Sequence, residues 1–332
     1  MVKEVSNYSV FSYFPTWLDN YSYDKIIFKN VTDVALFNGN LVSEMKVEIP
    51  SNYTIDSTHN FVKFVNKENK KAYISFLGQN ALKNISNSEV GYESLADTIN
   101  NFCSDYGFDG VDIDLEISYF NNNDICKKLC KTLYSRLQVK FNLTIPWSFN
   151  INLKDLIDNV DSINVMFYNY AKPAVKAEHN APLSRIKSYI KELKLASPDF
   201  PKHKLRMGIP FFGYKYNFDV TTDPVLGNKP VSYSIPLYTF SQVYDDIGHG
   251  NWNYSEDMST GYMAPLLTNI ETHQLISYDN EKSIQIKCQY IKEEGLGGAM
   301  VYILGYDAVH DGAIDQPLLS TVGKELLGTE TP

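Results

Sequence analysis

The sequence predicts an α/β protein: a (β/α)8 TIM barrel with a small α+β insertion between its seventh strand and seventh helix. Three observations carry this expectation. Eight short apolar runs alternate with amphipathic stretches, which is the pattern of a parallel sheet, and eight strands close such a barrel. The 332 residues suit one large barrel and are too many for a disulfide-stapled module. One interval, 214–277, breaks the rhythm and is too long for a plain loop.

The strands are expected at 8–14, 31–37, 71–76, 110–115, 141–146, 162–168, 205–211 and 298–303. Between them, apolar residues recur at helical spacing. Leu95, Ile99, Phe102 and Tyr106 form one stripe, closed by Gly107 as a C-terminal cap. Ile125, Leu129, Leu133 and Leu137 form a second, and Leu183, Ile186, Ile190 and Leu193 a third. Ser283 is the expected N-cap of a fourth, which contains Ile284, Cys288 and Ile291. Residues 214–277 are rich in Tyr, Asn and Asp, with a β-like fragment at 231–238. They are expected to form a lobe at the C-terminal face, where active sites of this fold lie. No linker or solenoid repeat is visible, so 1–332 is expected to be one domain with 214–277 inserted in it.

Apolar residues make up 44% of the chain and charged residues 21%, enough for a sizeable core. The net charge of −9 argues against a general nucleic-acid binder, which needs clustered Lys and Arg. Aromatic residues reach 14%, and flat rings suit uncharged sugars; an Asn-, Lys-, Ile- and Tyr-biased genome gives the same figure. No run of about 18 apolar residues exists, so no membrane span is expected, and the first residues lack the apolar core of a secretory signal. Cys103, Cys126, Cys130 and Cys288 are too few and scattered for a disulfide framework and are expected as buried thiols. The six His residues show no metal-ligand spacing, so neither a metal nor a cofactor is expected. Seven N-x-S/T sequons occur, but Asn142 begins one inside an expected buried strand, so they carry little weight.

The most informative stretch runs from Phe108 to Glu116. Strand side chains alternate faces, so Asp112, Asp114 and Glu116 share one face while Val111, Ile113 and Leu115 share the other. In a central parallel strand the apolar face meets the helices, and the carboxylates then point into the barrel and climb toward its mouth. A solvated edge strand is the competing reading, and the surrounding βα pattern argues against it. Three buried like charges in a row are costly, and shared protons relieve the cost. Glu116, at the top, is then placed to stay protonated and act as a general acid.

Asp109-Gly110-Val111-Asp112-Ile113-Asp114-Leu115-Glu116 resembles the D-G-x-D-x-D-x-E signature of glycoside hydrolase family 18, which includes chitinases, endo-N-acetylglucosaminidases and chitinase-like lectins. Residues 13–17 are similar to the family's first strand and turn, with Phe37 at the end of the second. Asn164 to Asn169 resembles its sixth-strand motif. Residues 180–183, 208–213, 277–284 and 295–300 resemble later blocks, so the likeness spans roughly residues 8 to 308.

The resemblance implies cleavage of β-1,4 bonds after N-acetylglucosamine with retention, the substrate's own acetamido oxygen acting as nucleophile. It implies that Glu116 is the acid and base, that Asp114 orients the acetamido group, that Asp112 shares a proton with Asp114, and that Tyr168 stabilises developing charge. Tyr13, Phe37, Met166, Asn169, Met300 and Tyr302 are the implied substrate-binding residues. The chain departs from the family pattern at four places. Leu77 stands for a glycine in Ser75-Phe76-Leu77-Gly78. Phe212 and Tyr214 stand for Tyr and Arg. Asn169 stands where Asp is more frequent, and Tyr302 stands for the tryptophan under the reacting sugar. Trp17, Trp252, Tyr254 and Tyr262 are further candidates for the cleft. The implied partner is chitin or its oligosaccharides, with no protein partner indicated. A lectin of the same fold and an endo-β-N-acetylglucosaminidase acting on N-glycans are the alternatives. Because chitin lies outside cells, secretion is the expected destination and the cytoplasm the alternative.

Overall fold

The computed structural model describes residues 7–19, 21–77, 82, 89–116, 123–149, 151–234, 237–259, 263–309 and 315–330. Eight parallel strands form one closed sheet: β1 (Ser9–Pro15), β2 (Asp33–Ser43), β3 (Lys71–Leu77), β4 (Gly110–Asp114), β5 (Lys140–Pro146), β6 (Ser162–Met166), β7 (Leu205–Pro210) and β8 (Gly298–Tyr302). Each pairs with its sequence neighbours, and β1 pairs with both β2 and β8, which closes the ring. All eight expected strands are present. β2 runs longer than expected because its end turns back into a short hairpin with Lys46–Glu48.

The helices are α1 (Ile55–Lys67), α2 (Glu89–Tyr106), α3 (Asn123–Arg136), α4 (Lys154–Ile157), α5 (Leu183–Ala196), α6 (Phe240–His249), α7 (Glu281–Glu294) and α8 (Pro317–Leu327). Gly107 follows α2 with a φ of 83°, a left-handed cap that costs glycine little. The N-cap of α7 is Asn280, not Ser283. Asn280 accepts from the Ser283 N–H while the Ser283 hydroxyl accepts from the Asn280 N–H, so the expected cap is the other half of a capping box. Between β1 and β2 the described connection holds only two 3-10 turns, and α8 packs against β1 and the second of them.

Val111, Ile113 and Leu115 are fully buried in the large cluster between strands and helices. All four cysteines are buried thiols outside any disulfide, and Asn142 is wholly buried. A second cluster fills the barrel, with Phe11, Tyr13, Phe37, Tyr73, Tyr168 and Met300 among its members. Gly110 makes room for it: a Cβ there would lie 2.1 Å from the Tyr73 ring. Straight after β7, the strand Phe212–Asn217 opens an antiparallel sheet with Ser232–Tyr233, Gln274–Ser277, Ala264–Asn269 and Asn253–Asp257, and this sheet has its own apolar cluster.

Candidate active site

The carboxylate row lies on β4 and just beyond it. Exposure rises along it: Asp112 is 0% exposed, Asp114 3%, and Glu116 is open to solvent at the mouth. Strand alternation puts the three on one face, and barrel closure brings the other strands' inward side chains to them.

Asp112 is saturated with donors. Its Oδ2 accepts from Tyr13 on β1 at 2.9 Å and Ser75 on β3 at 2.8 Å. Its Oδ1 accepts from Thr144 on β5 at 2.7 Å and Asn164 on β6 at 3.2 Å. A carboxylate offers about four lone-pair sites, so these donors favour the anion. Burial pushes the Asp112 pKa up, and the hydroxyl donors and the Arg206 charge oppose that shift. Arg206 lies on β7 below the row, with its Nε bonded to Ser9 at 2.6 Å and its guanidinium over the Phe11 ring.

Asp114 is the reverse case. Its Oδ1 is buried with no hydrogen-bond partner among the described residues. Burial, then the charges of Glu116 and Asp112, hold its carboxyl well above the usual range, which favours its protonated form. Of the two buried carboxyls Asp114 is the better placed to take a proton, because both oxygens of Asp112 already accept from donors. Desolvation at the rim also raises the Glu116 pKa.

Tyr168 is 3% exposed, and burial, then neighbouring Tyr302 and the carboxylates, push its phenol well above the ordinary value. Its hydroxyl is a neutral donor resting 4.0 Å from the Met300 sulfur, a weak acceptor. Tyr302 is partly exposed at the centre of a ring of aromatics, with centroids 5.9 Å from Tyr13, 5.8 Å from Phe37, 5.7 Å from Tyr168 and 6.0 Å from Phe212. Trp17 continues the row outward from Phe37 and is 39% exposed.

The expected site residues thus converge on one mouth, at different depths. Tyr13 is 1% exposed and bonds Asp112 and Thr144, so it supports the row from below. Met300 lies behind Tyr168, fully buried, while Met166 and Phe37 line the inner cluster. Asn169 is exposed and accepts from the Tyr214 hydroxyl at 2.9 Å. Trp252 packs against the main core under the Lys215 ammonium, and Tyr254 bonds Glu256 and Asn280 on the edge strand of the inserted sheet, so neither joins the aromatic row. Tyr262 and Gly78 lie outside the described residues. Sequence reasoning missed Thr144 and Arg206, and gave Ser75 and Asn164 no role; the available signal was polar residues at inward positions of apolar strands. Among the described residues, no three His, Cys, Asp or Glu side chains gather as a metal site.

Comparison with known proteins bears on the family and the fold. The family model described as glycosyl hydrolases family 18 matches residues 9–307. Mouse chitotriosidase-1 is 25% identical over 271 residues, covering 70% of this chain and 57% of the mouse protein. Chitinase A1 of Niallia circulans is 26% identical over 293 residues, covering 72% of this chain and 41% of the bacterial protein. The chain therefore spans about half the length of these relatives. In fold it is similar to an immunomodulatory active chitinase from Trichuris suis, with a TM-score of 0.82 at 19% identity and coverage of 97% and 100%. It is also similar to a chitinase from Cycas revoluta in complex with (GlcNAc)3, with a TM-score of 0.81 at 20% identity and coverage of 96% and 99%.

Proposed function

The chain belongs to glycosyl hydrolase family 18, and on that premise we propose that it is a retaining hydrolase of β-1,4-linked N-acetylglucosamine polymers, working by substrate-assisted catalysis. The observation that carries this reading is the graded row of Asp112, Asp114 and Glu116: a buried carboxyl surrounded by donors, a buried carboxyl with an unpartnered oxygen, and a carboxyl at the mouth.

Glu116 protonates the glycosidic oxygen as the bond to C1 breaks, and its raised pKa keeps that proton available above the usual carboxylate range. Asp114, buried and held toward its neutral form, is a poor nucleophile, so attack on C1 falls to the substrate's acetamido oxygen, forming an oxazolinium. The unpartnered Asp114 oxygen accepts the acetamido N–H and turns that group toward C1. The Tyr168 hydroxyl, whose hydrogen-bond partner among the described residues is the Met300 thioether, is ready to donate to the same group as charge develops. Glu116, now a carboxylate, then removes a proton from water, which opens the oxazolinium at C1. Tyr302 supplies the floor beneath the reacting sugar, and Phe37 and Trp17 extend the apolar wall outward. A substrate of this kind lies outside cells, which supports secretion.

The test is turnover of a chitooligosaccharide bearing a chromogenic leaving group, alongside calorimetric binding. Wild type is expected to release the chromophore, and Glu116→Gln to lose roughly a hundredfold or more in kcat while still binding. Equal rates for the two proteins would overturn the assignment of Glu116. Saturable binding without turnover would instead favour a lectin, the reading that Tyr302 in place of the family's tryptophan supports. Cleavage of a high-mannose glycopeptide but not of chitooligosaccharides would favour the endo-β-N-acetylglucosaminidase.

A further inference from the structure

Asn180 lies in the loop between β6 and α5, is 2% exposed, and makes three hydrogen bonds, two to the residues following Tyr168 and one to Phe212. Its side-chain Oδ1 accepts from the Asn169 N–H at 2.9 Å. Its backbone oxygen accepts from the Tyr170 N–H at 3.0 Å. Its Nδ2 donates to the Phe212 carbonyl at 3.0 Å, and the Phe212 ring stands edge-on to Tyr168 at 5.6 Å. Asn169 itself is left-handed, with φ at 58°, a conformation Asn accepts more readily than most side chains and which turns the chain out of the strand direction. The preceding residue, His179, is tied to the inserted sheet: its Nδ1 meets Ser277 at 3.0 Å and its Nε2 meets Asp257 at 2.9 Å. The dipeptide therefore joins the sheet to the backbone that carries Tyr168.

We propose that Asn180 is a positioning residue for Tyr168: by holding the two N–H groups after it and the Phe212 carbonyl beside it, Asn180 fixes the phenol over the reacting centre. Beyond β6 the chain at Phe167–Asn169 has left the barrel sheet, so the strand ladder no longer fixes it. A displacement of about 1 Å at a catalytic group costs rate far more than affinity. The inference rests on the hydrolase reading for its kinetic consequence, but not for its structural one.

Two variants test it against wild type on a chitooligosaccharide. Asn180→Ala removes both side-chain bonds and is expected to lower kcat by roughly tenfold or more, with KM within about twofold. Asn180→Asp keeps the acceptor for the Asn169 N–H but donates to the Phe212 carbonyl only when protonated. Its kcat relative to wild type is therefore expected to rise as pH falls, while the Asn180→Ala ratio stays flat. His179 and its partner Asp257 are common to all three proteins, so the ratio isolates position 180. Parallel ratios for the two variants, or a loss confined to KM, would overturn the proposal. If Asn180→Ala does not fold, the Asn180→Asp profile decides alone. Absence of turnover by wild type would overturn the hydrolase reading instead. The positioning claim is then decided by the crystal structures of wild type and Asn180→Asp at high pH: a shifted Tyr168 ring upholds it, and a ring in the same place overturns it.

Discussion

In the proposed mechanism Asp114 joins stability and activity in one side chain. Its folded-state pKa is raised, so between the ordinary carboxylate range and that raised value the folded protein holds a proton that the unfolded chain releases. Stability from this group is thus fullest at acidic pH and falls as pH rises through that window. Asp114→Asn removes the titration, and its Tm is expected to gain on wild type as pH rises from 4 to 8, while kcat falls by roughly a hundredfold. A Tm difference independent of pH would show that Asp114 does not hold the proton. The row itself was legible in the sequence because strand alternation is a local rule that needs only three residues at a spacing of two. The donors around Asp112 were not, because Tyr13, Ser75, Thr144 and Asn164 come from four different strands and meet only when the barrel closes.

At the level of elements, the strands were readable and the connections less so. Apolar runs between amphipathic stretches marked all eight strands, whereas the link from β1 to β2 has no helical stripe and folds as two 3-10 turns. Helix α8, which packs there, begins beside a buried carboxyl: Asp307 Oδ2 accepts from the Leu319 N–H at 2.8 Å. Burial raises the Asp307 pKa to about 7, and the helix N–H groups oppose the shift. The folded state therefore gains protons relative to the unfolded chain between the usual carboxylate range and pH 7, and stability from this group declines across that interval. Asp307→Asn keeps the acceptor and is expected to flatten that decline, as measured by urea midpoints at pH 4.5 and 7.5. An unchanged slope would place the proton elsewhere. On β4, Gly110→Ala drives a methyl into the Tyr73 ring and is expected to cost about 1–3 kcal/mol, read from urea denaturation.

At the level of the whole molecule, the barrel concentrates chemistry at one end. Alternation along eight strands builds a polar centre around Asp112, an aromatic rim through Tyr168, Tyr302 and Phe37, and an outer wall that ends at Trp17. The inserted sheet stands on that rim because it begins at Phe212, two residues past β7. The 14% aromatic content, uninformative as a number, divides in space between the packed core and this rim. The central claim is that a single acid, Glu116, serves a reaction in which the substrate supplies its own nucleophile. Proton NMR of the first product released from an N-acetylglucosamine oligomer tests it most directly. Two displacements at C1 retain configuration, so the β-anomer is expected to appear first and the α-anomer only by later mutarotation. Initial appearance of the α-anomer would require a water-activating carboxylate on the opposite face of the sugar and would contradict the account.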